Sequence, residues 1–302
     1  MIPTLSQIGE FGLIDSLKKY AGKSASIIEG IGDDAAVVAF NAKKYLLLTA
    51  DMLVEGTHFT ADMPAKAVGH KAMACSISDI AAMGGTPKYA VISLGAPASI
   101  PARYIYGLYA GMNATARKFK TVIVGGDTVR SKGLVINVAM AGEADKNAVV
   151  TRSGARKGDW IFVTGPLGRS FISGGHLRFT PRLDEAQFLV KHHKPSAMID
   201  ISDGLAGDLG HMLTRSCAGA ILDAGSIPRR RGATLDASLY GGEDFELLFT
   251  VSPRQAKGLR RAKRKNFNFY RIGEIVECRK GLQLRMPDGT CRDLRRKGYT
   301  HF

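Results

Sequence analysis

The chain is sparing with cysteine: four in 302 residues, at positions 75, 217, 278 and 291. No two form a C-x-x-C pair and none joins histidines at zinc spacing, so a disulfide framework and a structural zinc site are both excluded as organising features. Long apolar runs are missing as well. No stretch approaches the roughly 20 residues a membrane span requires, and Met1 to Tyr20 lacks the continuous apolar centre of a secretory signal. A reduced, cytoplasmic setting without membrane contact is the expectation. There is no G-x-S-x-G, no H-x-x-x-H among the seven histidines, no repeat at solenoid spacing and no low-complexity linker.

Two nucleotide motifs come close and fail. Gly22-Lys23-Ser24 ends like a P-loop, but Leu17 stands where its first glycine belongs and no strand precedes it. Gly30, Gly32 and Ala35 mimic a dinucleotide fingerprint. The residues after them read as a strand rather than a helix, and Asp33 and Asp34 would repel a pyrophosphate unless a metal intervened.

What is present is a soluble globular composition, 45% hydrophobic and 23% charged, with a net charge of +15. The excess is uneven. Residues 1–150 hold 15 Lys/Arg against 12 Asp/Glu, and the remainder 27 against 15. Arg254 to Arg271 and Arg285 to Lys297 carry much of it. A solvated basic face is the stronger reading of these runs, ahead of a nucleic-acid surface; attraction of anionic small molecules also fits.

Periodicity predicts strands at Ala35–Phe40, Tyr45–Ala50, Tyr89–Leu94, Thr121–Val124 and Leu134–Ala141, with helices at Ala65–Met83 and Pro101–Phe119. This ββαβαββ region ends in a polar stretch, Glu143 to Gly158. Beyond it lie expected strands at Trp160–Thr164, Ala220–Asp223, Phe245–Val251, Tyr270–Val276 and Leu282–Met286, and helices at Asp184–His192, Leu205–Arg215 and Pro253–Lys263. The expected fold class is α/β (α+β) in two domains, 1–145 and 146–302.

Against the basic background, acidic residues recur beside glycine or small residues: Asp33-Asp34, Asp51, Asp79, Asp127, Asp200, Asp203 and Glu243-Asp244. Any one of these aspartates alone reads as a turn residue or helix cap. Several together exceed what glycoside hydrolysis uses and suit Mg²⁺ ions held around phosphates, that is, phosphoryl transfer without a P-loop. Gly125-Gly126 would let backbone approach a phosphate or base closely.

Gly9-Glu-Phe-Gly-Leu-Ile14, Gly30-Ile-Gly-Asp-Asp-Ala35, Asp51-Met-Leu-Val-Glu-Gly-Thr-His-Phe59, Ser76-Ile-Ser-Asp-Ile-Ala-Ala-Met-Gly84, Gly125-Gly-Asp-Thr128, Arg152-Ser-Gly-Ala155, Ile199-Asp-Ile-Ser-Asp-Gly-Leu205, Gly241-Gly-Glu-Asp-Phe-Glu-Leu247 and Lys297-Gly-Tyr-Thr-His-Phe302 follow one another along the whole chain. In these segments the sequence resembles the thiamine-monophosphate kinase family of the aminoimidazole-ribonucleotide-synthetase-like ATP-binding superfamily. The resemblance implies a synthetase-like fold whose N-terminal mixed sheet and helices form a homodimer interface, with ATP in a cleft beside it. It implies Asp34, Thr49, Ala50, Asp51, Asp79, Asp127, Asp200 and Asp203 as ligands of several Mg²⁺ ions. ATP would meet Tyr109, Gly126, Asp127, Arg152 and Ser202. Thiamine monophosphate would meet His58, Glu243 and Arg296, and Asp51, Asp127 and Arg152 would carry catalysis.

Two positions depart from the family pattern. Ala50 replaces a hydroxyl residue, leaving a backbone or water contact to the metal, and Arg296 replaces an aromatic residue that packs on substrate, with Tyr299 or Phe302 as substitutes. The acceptor is a phosphate oxygen with a second pKa of about 6, so direct in-line attack needs no general base. Alternatives are another ATP-dependent synthetase of the superfamily, and a non-catalytic nucleotide- or nucleic-acid-binding protein.

Overall fold

The computed structural model describes residues 3–259 and 267–302. In chain order its elements are α1 (Leu5–Leu17), β1 (Ile27–Glu29), β2 (Ala36–Ala39), β3 (Lys44–Val54), α2 (Ala65–Ala82), β4 (Thr86–Ala96), α3 (Ala102–Lys118), β5 (Val122–Arg130) and β6 (Val135–Asp145). Then follow β7 (Trp160–Val163), α4 (Leu183–His192), β8 (Ala197–Asp200), α5 (Leu205–Ser216), β9 (Ala218–Asp223), α6 (Leu235–Tyr240), β10 (Leu247–Val251), α7 (Pro253–Ala256), β11 (Tyr270–Glu277), β12 (Leu282–Arg285) and β13 (Cys291–Asp293).

These strands build two mixed sheets, ordered β1-β2-β3-β6-β4-β5 and β13-β12-β9-β11-β7-β10-β8. The first is antiparallel apart from the β4–β5 pair, and the second apart from β12–β9. The α/β class expected from periodicity is the class observed. Each sheet has its own apolar cluster, and a third cluster joins Ala81 and Ala82 at the end of α2 to Met198, Leu247 and Phe249 of the second sheet.

Strand alternation gives the first sheet two unlike faces. Leu47, Leu53, Ile92, Ile136 and Val138 face α2 and α3 and are buried. Leu48 pairs with Ala141, Ala141 with Tyr89 and Tyr89 with Val122, and Leu48, Tyr89 and Val122 on this outer row are all exposed. Met52 and Val91 on the same face are exposed too. An apolar sheet face this broad is uncommon on an isolated domain.

Helix α2 is central and 18 residues long. Its alanines, serines and glycine permit close approach: a Cβ on Gly69 would stand 2.0 Å from the Leu108 carbonyl oxygen, and one on Gly111 of α3 would stand 2.0 Å from that of Lys66. Gly69→Ala must push the helices apart, a cost of about 2–3 kcal/mol. We expect the thermal unfolding midpoint to fall by roughly 5 °C; an unchanged midpoint would show that the crossing can open freely.

The four strands β3 to β6 all run beyond their expected ends. β3 continues through Asp51 to Val54, and β5 runs through Gly125-Gly126-Asp127 to Arg130, so neither acid sits in a turn. The parallel ladder to β4 carries β5 onward past a bulge at Val124, and Gly126 lies so near Ile92 that a Cβ would meet its carbonyl oxygen at 2.0 Å. Elements α1, β1, β8, α6 and β13 had no expectation. Of the helix expected at Pro253–Lys263, the structure shows Pro253–Ala256, and residues 260–263 lie outside the described residues.

Candidate active site

Four carboxylates meet where the inner face of the first sheet, α2 and the edge of the second sheet converge. Asp51 points inward from β3, Asp79 from the last turns of α2, Asp200 from the end of β8, and Asp34 from the loop before β2. Single carboxylate oxygens of Asp34, Asp79 and Asp200 all lie within 4.8 Å of one another. Hydroxyls hold the acids in place: Thr49 Oγ1 donates to Asp79 Oδ2 (2.5 Å), Ser76 Oγ to Asp51 Oδ2 (2.9 Å) and Ser78 Oγ to Asp200 Oδ2 (2.5 Å). Ser76, Ser78 and Asp79 come from one helical stretch, so α2 presents the cluster and its supports together.

The electrostatics are those of several buried anions packed against a single guanidinium, that of Arg152. Burial, then Asp51 and Asp200, push the Asp79 carboxyl well up. Burial and then Asp34 raise Asp200 to about 8. Burial also raises Asp34 and Asp51, partly offset at Asp34 by Arg152 and at Asp51 by Ser76. Arg152 Nη2 donates to Asp34 Oδ1 at 2.7 Å, and the Arg152 backbone N–H is held by Asp33 at 3.1 Å. Asp34 Oδ2 is buried with no hydrogen-bond partner. An orphaned carboxylate oxygen among four crowded acids fits a divalent cation.

Beside the cluster opens a cleft of about 570 Å³. Asp51, Ala50, His58, Ser202, Asp203 and Glu243 all line it. Glu243 sits on a backbone with φ of +65°, a left-handed conformation outside the common regions for a glutamate. Its carboxylate takes Lys71 Nζ at 2.7 and 2.6 Å, and His176 Nδ1 lies 3.0 Å from Oε2. Burial pushes this carboxyl up, but the His176 hydrogen bond and the Lys71 charge outweigh it and hold Glu243 below its usual range. Lys71 Nζ also donates to the His58 carbonyl at 2.7 Å. His58 accepts from the Val54 N–H through Nδ1 at 3.0 Å; burial and then Lys71 lower its pKa, so the ring is neutral at pH 7.

Three expected residues stand apart. Arg296 turns away from the cleft: its Nη1 donates to Thr214 Oγ1 at 3.1 Å and its stem packs on Gly210 of α5. Tyr299 and His301 from the same tail do line the cleft. Tyr109 packs among the apolar side chains beneath α3. Asp127 is exposed on β5. Asp51 pairs with Val138, Val138 with Ile92 and Ile92 with Gly126, so Asp127 falls in the adjacent row with Met52, Asn137 and Ser93. That row belongs to the outer face, three strand spacings, or about 14 Å, from β3. One chain therefore does not bring Asp127 to the carboxylate cluster. Nor does the acidic pair at 243–244 act as one, since Asp244 is buried in the opposite direction, accepting from the Gly168 N–H and Arg230.

Comparison with known proteins places these features. The family described as AIR synthase related protein, N-terminal domain, matches residues 32–144, and its C-terminal counterpart matches residues 173–284. The thiamine-monophosphate kinase of Aquifex aeolicus is 36% identical over 275 aligned positions, covering 82% of this chain and 87% of that protein. That of Synechococcus elongatus is 33% identical over 99% of this chain and 98% of its own length. The structure of AaThiL complexed with AMPPCP and TMP is 33% identical, superposes with a TM-score of 0.87 and covers 100% of both chains. This chain belongs to the thiamine-monophosphate kinase family. The hydrogenase maturation protein HypE of E. coli, at 22% identity and a TM-score of 0.73, shares the fold.

Local sequence pattern gave no role to much of the cleft, Lys71, Cys75, Phe171, Glu10 and His301, nor to His176 buried behind it. Lys71 was findable. It is the one charge on the buried stripe of α2, at helical spacing with Val68, Cys75 and Ser78, and a fully buried lysine needs a partner. His176 and Phe171 had no such signal, because their loop has no period.

Proposed function

We infer that this protein is an ATP-dependent kinase that converts thiamine monophosphate to thiamine diphosphate. The observation that carries the reading is a four-carboxylate cluster standing beside a cleft lined by Asp51, an ionised glutamate and a neutral histidine. A carboxylate suits a cationic thiazolium or an aminopyrimidine, and a neutral imidazole whose Nδ1 accepts from the Val54 N–H can donate through its Nε2–H to a ligand oxygen.

Asp34, Asp51, Asp79 and Asp200, with Thr49 and the backbone at Ala50, would hold Mg²⁺, and Asp203 at the cleft edge would hold a further ion; the unpartnered Asp34 oxygen supports this. Bound there, Mg²⁺ neutralises phosphate charge and aligns the reacting oxygens. Arg152, tied to Asp34, adds a fixed positive charge facing the same space. The acceptor phosphate is mostly ionised at pH 7, so direct in-line transfer would need neither a base nor a covalent intermediate. Ser202 stands beside the cluster as an ATP contact, while Gly126 and Asp127 stand on the far edge strand.

That separation, with the exposed apolar face formed by Leu48, Met52, Tyr89, Val91 and Val122, supports a homodimer joined through the first sheet. Each site would then take Asp127 and Gly126 from the other chain.

The test is chromatography of products from ATP, Mg²⁺ and thiamine monophosphate, beside free thiamine and a no-acceptor control. Equal amounts of ADP and thiamine diphosphate, from the monophosphate alone, are expected. ATP hydrolysis without that product would remove the acceptor assignment.

A further inference from the structure

The cleft wall mixes charged and polar side chains with apolar and aromatic ones, Met52, Leu53, Phe171, Phe245 and Tyr299 among them. Phe171 lines the cleft and is 43% exposed as a residue. Its position is not that of a loose surface side chain. The ring stacks on His176 with centroids 4.4 Å apart and an interplanar angle of 22°. His176 is fully buried and is fixed in turn through Nδ1, 3.0 Å from Glu243 Oε2 and 3.0 Å from Lys71 Nζ. The Lys71 ammonium, itself fully buried, stands 5.9 Å from the Phe171 ring centroid. A chain of buried, hydrogen-bonded groups thus orients an aromatic ring that remains open on the cleft side.

An aromatic ring held this way beside a carboxylate offers a planar cation three things at once: apolar area, a negatively polarised face and a nearby counter-charge. Phe245 and Tyr299 also line this wall, in different settings. Phe245 is only 6% exposed, its ring stacked on buried Phe179, and Tyr299 meets His301 edge-on at 5.1 Å in the C-terminal tail, while Arg296 is turned onto Thr214.

We propose that Phe171 is the aromatic platform for the heterocyclic base of the acceptor, and so a specificity-determining residue of the reaction. The proposal rests on the kinase reading above and deepens it. Phe171 packs against the cationic base while the carboxylate cluster handles the phosphates, so its contribution is to binding of the acceptor and not to the transfer step. The phosphate end of the acceptor and the whole of ATP are untouched by it.

Four variants separate these roles: Phe171→Ala, Phe171→Leu, Phe171→Tyr and Phe171→Trp. We expect KM for thiamine monophosphate to rise about tenfold in the alanine and leucine variants. In both, kcat and KM for ATP stay within about twofold of wild type, because neither quantity involves this ring. The tyrosine and tryptophan variants keep KM near the wild-type value. Leucine conserves apolar bulk without a π face, so a leucine variant indistinguishable from wild type would overturn the proposal. So would a loss of kcat shared by all four, which would mark a purely structural role.

A second measurement is independent of turnover. The chain has a single tryptophan, Trp160, so Phe171→Trp adds one reporter in the cleft. Its emission should be quenched saturably by thiamine monophosphate and not by inorganic phosphate, with wild type as the control for Trp160. Quenching in wild type and variant alike, or in neither, counts against Phe171. If wild type forms no thiamine diphosphate while the variant's quenching is specific, the kinase reading fails and the base platform stands.

Discussion

Asp51→Asn is expected to lower kcat by about a thousandfold while leaving the protein folded. Asp51 reaches the cluster from the inner face of β3, is held by Ser76, and shares a hydrogen bond with Asp79. Asparagine keeps the shape and removes one negative charge from a group of acids that repel one another. The stability consequence therefore runs against the functional one. Without metal, the variant should melt at the same temperature as wild type or above it, since a buried like charge has been removed. With Mg²⁺, wild type should gain stability through binding to the native state alone, and the variant should gain much less. Steady-state kinetics and paired melting curves with and without Mg²⁺ measure both effects. Full activity in the variant, or an equal Mg²⁺ shift in both proteins, would remove Asp51 from the metal site.

The second large effect is a recovery. Asp127→Asn should be as inactive as Asp51→Asn, but for a different reason: its carboxylate lies on the opposite face of the sheet and, in the proposed dimer, would serve the partner's cleft. Mixing the two inactive proteins, with unfolding and refolding to exchange chains, should restore activity. In a mixed dimer one cleft inherits both substitutions and the other inherits neither. Random pairing makes half the dimers mixed, so about a quarter of wild-type activity is expected. If each site were built from one chain, every cleft in the mixture would carry a substitution and no activity would return. The experiment thus decides where Asp127 acts without any need to observe the complex.

Much of this architecture was legible in the amino-acid order, and the failures share a cause. Most strands and helices from Ala36 to Asp145 and from Trp160 to Arg285 announce themselves by period, because each has one face in a core; β8, buried throughout, and the short α6 do not. Asp34, Asp51, Asp79 and Asp200 were legible as a set because acids beside small residues stand out in a basic chain. What local pattern cannot express is which face of a sheet a residue occupies. Asp127 shares its motif character with the other acids, and only the ladder register, which depends on a bulge at Val124, puts it on the outer side. Arg296 was misplaced for a similar reason. The tail after β13 has no period, and its course is set by contacts with Asp203, Gly207 and Gly210 that are distant in sequence. The edge strand β5 looked like a short strand and a glycine turn because glycine weakens strand propensity, whereas pairing to β4 supplies the hydrogen bonds that propensity does not.

One feature of α2 reaches beyond catalysis. The helix carries Lys71 at the wall of the cleft and Asp79 at the acids, eight positions and about 12 Å apart along its axis. Substitutions on its surface leave that separation unchanged. A single inserted or deleted residue between them would turn one end against the other by about 100° and would displace Ser76 and Ser78 with it. Lineages can therefore vary the composition of this segment, but its length is transmitted as a unit, and gaps between relatives should accumulate in the loops on either side of it.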